Sequence, residues 1–135
     1  SSPPSIPGDG SLVPMRYRTE EFDRFNVHPS SPCDDTAKLV APVSGAYTIS
    51  GSVVWTGSTA GTRFAGVELN GDGDSYLVAA RTQAFADIPE QSISTIAYLN
   101  AGDFVRLMVS QNSGSALTLN NAFSRQSFQM AWIGP

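Results

Sequence analysis

His28 and Cys33 are the only histidine and the only cysteine of the chain, so chemistry needing an imidazole base or a thiolate must run through them. A Ser–His–Asp relay would use His28, and Ser and Asp are plentiful enough for chance partners to abound. No Gly-x-Ser-x-Gly elbow is present to hold a serine nucleophile in a strained turn. His28 also precedes Pro29, where a loop is expected, so a solvated or strand-capping histidine is the favoured reading. Cys33 lies in the polar stretch Ser30 to Asp35, with no second cysteine for a disulfide or a metal cluster. It reads as a spectator thiol. No catalytic residue is assigned, and no enzyme is expected.

Carboxylates come next. Asp72 and Asp74 stand in Asn70-Gly71-Asp72-Gly73-Asp74, and Asp34 and Asp35 form a second pair. Calcium takes roughly six to eight oxygens, and two carboxylates per loop fall short of that shell. Turn chemistry explains Asp beside Gly without a metal. No cofactor is expected, and structural calcium is the one candidate. Tyr76 follows the same turn, where a phenol ring can stack on a sugar. Asp72, Asp74 and Tyr76 therefore form the candidate ligand-binding set, against the plainer reading of Tyr76 as a half-buried strand residue.

The elements that must position these groups are strands. The chain has 135 residues, 41% apolar and 15% charged, which suits one domain. Ser, Thr, Gly and Pro outweigh the Ala, Leu, Glu and Lys that favour helices. Eight basic against twelve acidic residues give a net charge of −4, with no basic stripe for a nucleic acid. No apolar stretch approaches the roughly 20 residues that span a bilayer, so membrane insertion is not expected. Residues 1–11, rich in Pro, Gly and Ser, read as a flexible linker that continues a longer chain, and residues 12–135 as the domain.

Alternation marks strands from Val13 to Arg18, Ala46 to Trp55, Thr62 to Leu69 and Tyr76 to Ala80. Others run from Ile93 to Leu99, Phe104 to Gln111, Ala116 to Leu119 and Ser124 to Ile133. Turn signals separate them, and eight to ten strands at this spacing predict an antiparallel sandwich. Within Ala46 to Trp55, Tyr47, Ile49, Val53 and Trp55 share one face, and Gly51 marks a close approach. Phe104, Arg106 and Met108 share one face of their strand, and Val105, Leu107 and Val109 the other. Phe128, Met130 and Trp132 alternate with Ala131 and Ile133 in the same way. A strand apolar on both sides must be covered on both, by a thick core or by another subunit.

Three stretches carry a resemblance. They are Ala41-Pro42-Val43-Ser44-Gly45-Ala46-Tyr47 with the apolar strand after it, Leu99-Asn100-Ala101-Gly102-Asp103-Phe104-Val105, and the ending Ser127 to Pro135. Their order and separation resemble the globular head of complement C1q and its tumour-necrosis-factor-like relatives, over roughly Leu12 to Pro135. The resemblance implies an all-β, ten-strand antiparallel jelly-roll sandwich assembled as a homotrimer. It favours a subunit interface as the second cover, formed by Tyr17, Phe104, Arg106, Met108, Phe128 and Met130. It also implies a non-enzymatic head that binds a cell-surface glycan or protein receptor through its variable turns, on an extracellular or virion surface. Arg over Lys and the Ser/Thr/Ala/Gly richness look like the C1q-like heads ending phage tail fibres. A trimerising or capping domain without a ligand is the alternative.

One expectation needs no structure. Cys33→Ser should change unfolding free energy by less than about 1 kcal/mol, as most surface substitutions do. Urea denaturation checks it, and a native form dominated by disulfide-linked dimer would contradict it.

Overall fold

Between Gly45 and Val54, Tyr47, Ile49, Gly51 and Val53 are buried while Ala46, Thr48, Ser50 and Ser52 face outward. Period-two burial is what a strand with one wet face produces. The computed structural model describes residues 5–15, 37–56, 58–84, 90–119 and 127–135. Among them the strands are β1 (Ser5–Ile6), β2 (Val13–Pro14), β3 (Lys38–Val40), β4 (Gly45–Val54) and β5 (Thr62–Leu69). They continue with β6 (Tyr76–Gln83), β7 (Glu90–Leu99), β8 (Phe104–Gln111), β9 (Leu117–Thr118) and β10 (Ser127–Gly134). No helix occurs among the described residues.

Two antiparallel sheets face each other. One has the order β10-β4-β7; the other runs β2-β8-β5-β6, with β3 also on β8. β1 and β9 pair separately. Tyr47 and Ile49 of β4, Ile93 and Leu99 of β7, and Val67, Val105, Leu107 and Val109 of the other sheet fill the space between. The all-β sandwich expected from alternation is the observed fold, and β5 and β8 have the expected bounds.

Parts of the stretches that carried the resemblance, Val43 to Tyr47, Asn100 to Phe104 and Trp132 to Gly134, meet at one end of the sandwich. Gly45 adopts φ +155, and a Cβ there would stand 2.3 Å from Trp132 Nε1 and 2.4 Å from the Gly134 carbonyl oxygen. Only glycine lets the last strand close over the start of β4. Two residues on, the Tyr47 hydroxyl donates to the Val43 carbonyl at 2.7 Å. Asp103 accepts from the Asn100 amide at 2.8 Å and from Asn70 Nδ2 at 3.1 Å. Asn70 in turn accepts from the Phe104 amide at 2.9 Å, and Ser44 Oγ from the Ala101 amide at 2.9 Å. Three turns distant in sequence are thus knotted through side chains.

Part of the lead differs from expectation. Residues 5–11 are docked rather than free, because Ile6 is fully buried and β1 pairs with β9. The Gly114 amide donates to Gly8 O at 3.0 Å, and the Gly10 amide to Gln111 O at 2.9 Å. One large apolar side chain with satisfied backbone partners is enough to hold a short segment. β3, not expected from the sequence, places Leu39 in the core on three residues of pairing.

Gly45→Ala should lower stability by at least about 2 kcal/mol, from overpacking and a φ that L-residues avoid. Gly73→Ala, with nothing within 4 Å of its Cβ, should fall within about 0.5 kcal/mol of the parent in the same urea titration.

Candidate functional site

Phe104, Arg106 and Met108 point away from the core, as alternation requires, but the chain itself covers them. Lys38 Nζ lies 4.3 Å from the centroid of the Phe104 ring. Arg106 Nε and Nη2 both donate to Glu68 Oε1, at 3.0 and 2.5 Å, and Glu68 is buried. Met108 is opposite Pro14 on one side and Gly66 on the other, and is only 5% exposed. The carboxylate that a half-buried Arg106 requires is therefore intrachain. Within one chain Met108 is thus buried, while Phe104 and Arg106 keep part of their surface open.

Phe128 and Met130 are placed in a similar way. Both pack on the core of their own chain, half-buried, while Gln129 and Ala131 face out. Tyr17, His28, Cys33, Asp34 and Asp35 lie outside the described residues.

The open apolar surface is on the other sheet. Ile96 and Tyr98 of β7 point outward and are 66% and 63% exposed. Their neighbours across β4 are Thr48 and Ala46, and Ala131 of β10 continues the row. Trp132 and Ile133 are the exposed large residues of β10, beside the register shift before Gly134. Toward the other end this face turns polar, with Ser50, Ser52, Ser92, Ser94 and Ser127 around a shallow depression. The outward exposure of Ile96 and Tyr98 was not expected from the sequence, although the signal was present. Apolar residues occupy both parities of Ile93-Ser94-Thr95-Ile96-Ala97-Tyr98-Leu99, as they do in β8.

Two of the three candidate ligand residues meet in a groove. Asp74 and Tyr76 line a cleft of about 450 Å³ on the outer face of β5, β6 and β8, joined there by Phe64 and Arg81. The Phe64 and Tyr76 rings meet edge to face, 5.3 Å between centroids and 81° between planes. The Arg81 guanidinium lies 5.2 Å from the Phe64 centroid. Asp72 takes the plainer role, its Oδ1 accepting the Asp74 amide at 3.0 Å within the turn. The Tyr76 hydroxyl is buried with no hydrogen-bond partner among the described residues. Burial pushes its pKa above the ordinary phenol value; Glu68 and Asp74 add to the rise and Arg106 opposes it. Phe64 and Arg81 could be found only through the register that sets Phe64 opposite Arg81.

No protein-family model matches the sequence, and no curated protein matches it. Solved structures do match in shape. The crystal structure of murine APRIL at pH 5.0 aligns with a TM-score of 0.68 over 96% of this chain and 95% of that one, at 11% identity. The two share an all-β jelly-roll sandwich fold.

Tyr76→Phe removes a buried hydroxyl that lacks a partner, and should leave stability unchanged or raise it by about 1 kcal/mol. A raised folded-state pKa confers stability that is complete below the ordinary value of 10.0 and is lost as pH rises through the folded-state value. The parent should therefore lose stability above about pH 10, and Tyr76→Phe should lose less, by denaturation across pH.

Proposed function

We propose that the domain is a non-enzymatic binding head that works as a homotrimer, displayed on a cell or virion surface, as at the end of a phage tail fibre. The observation that carries the trimer is the outward pair Ile96 and Tyr98, in one row with Ala46, Thr48 and Ala131 on the outer face of the sheet. Isolated apolar residues on a surface need no explanation, but a row on one sheet face marks a contact. The jelly-roll fold and the resemblance to C1q-like heads support a threefold assembly over other symmetries. A closed ring lets three copies cover one another without leaving a repeating open contact. Burying Ile or Tyr contributes roughly 1.5–3 kcal/mol each, so three contacts together are of the size needed against an association cost of roughly 4–15 kcal/mol.

Light scattering at micromolar concentration should give the mass of three chains, and 14.3 kDa, that of one chain, would overturn the reading. Ile96→Asp should yield monomers with an unchanged far-ultraviolet spectrum, whereas Ser113→Asp, in the loop after β8, should stay trimeric.

A further inference from the structure

We infer that the groove bearing Phe64, Tyr76, Asp74 and Arg81 is a binding site for a neutral saccharide. Its floor is built for apolar contact. Gly66 lies beneath it, and a Cβ there would come within 2.7 Å of Tyr76 Cδ1 and 2.9 Å of Phe64 Cζ. The missing side chain lets both rings settle onto the sheet. Leu12, 42% exposed, adds an aliphatic wall. Sugars present flat C–H faces edged with hydroxyls, so an apolar floor needs fixed polar groups around it.

Those groups are present and uncommitted. Neither the Asp74 carboxylate nor the Arg81 guanidinium has a hydrogen-bond or ion-pair partner among the described residues; Arg81 rests on the Phe64 ring. Asn112 Oδ1 accepts from the Thr62 amide at 2.6 Å and from its hydroxyl at 3.2 Å. That fixes the amide plane and leaves the Nδ2 donors for a ligand. A carboxylate accepts two sugar hydroxyls at once, while guanidinium and amide donate. Charge selects the class of saccharide. One anion and one cation cancel at the groove, on a chain of net −4, which gives a polyanionic glycan no field to follow. The volume, about 450 Å³, falls in the roughly 300–1,000 Å³ range of small-molecule sites.

All these residues belong to one chain, so the site does not depend on the proposed trimer. Saturation-transfer NMR with maltotriose, chitotriose and mannotriose, and with a heparin tetrasaccharide as the acidic comparison, tests it. At least one neutral trisaccharide should receive saturation and perturb the Phe64 and Tyr76 ring signals. Asp74→Ala and Arg81→Ala, both at exposed positions, should each weaken that binding by roughly tenfold or more. Ile96→Asp should retain it even as a monomer, which separates failure of the site from failure of the assembly. Saturation of none of the three, of the heparin fragment alone, or binding indifferent to both substitutions would overturn the inference.

Discussion

A single buried amide holds the two sheets at their spacing. Gln91, on β7, accepts from Trp55 Nε1 at 2.8 Å and donates through Nε2 to Arg63 O and Thr82 Oγ1 at 3.1 Å and to Ala80 O at 3.3 Å. It thereby links β7 of one sheet to β5 and β6 of the other. Beside it Arg63 is fully buried, its guanidinium 5.7 Å from the Trp55 ring and donating to the Ala60, Thr62 and Ser58 carbonyls. Burial lowers the Arg63 pKa, and carbonyl dipoles are the partners seen for its charge among the described residues. Removing the Gln91 amide would leave the buried Trp55 indole N–H without its partner, a cost that low local dielectric makes large.

Because β4 runs from Gly45 to Val54, this cluster and the Asn70–Asp103 knot clamp opposite ends of the sandwich. The apolar middle between them can then be plain. Gly51 shows how close the sheets come there, since its Cβ would meet Leu107 Cδ2 at 3.1 Å. With both ends fixed, the two outer faces are free to differ. One carries exposed Ile96 and Tyr98, the other a groove with polar walls.

How far this could be read from sequence depended on range. Strands such as β5 and β8 were legible because alternation is local, and the Asn70-Gly71 turn because consecutive positive φ values, +56 and +75, demand those residues. β1 and β3 were too short to show a period, and Ile6 looked like a stray in a linker. How much of the outward face of β8 its own chain covers was not legible. Its cover comes from Lys38, Glu68 and Gly66, brought alongside only by strand order and register. Tyr76 and Asp74 were visible beside their turn, but the groove was not, since Phe64 and Arg81 join them across the sheet.

The two proposals reinforce each other through geometry. A sandwich that self-associates through its β10-β4-β7 face keeps the outer face of β5, β6 and β8 toward solvent. Each chain then offers one shallow groove, and shallow saccharide sites bind weakly because water competes for every hydroxyl. Three such grooves on one rigid head convert the second and third contacts into intramolecular events, which raises avidity by about 10²–10⁴ without any new contact. Weak grooves alone, or a trimer without them, would hold a glycan-bearing surface poorly, and their combination gives a binding head its grip.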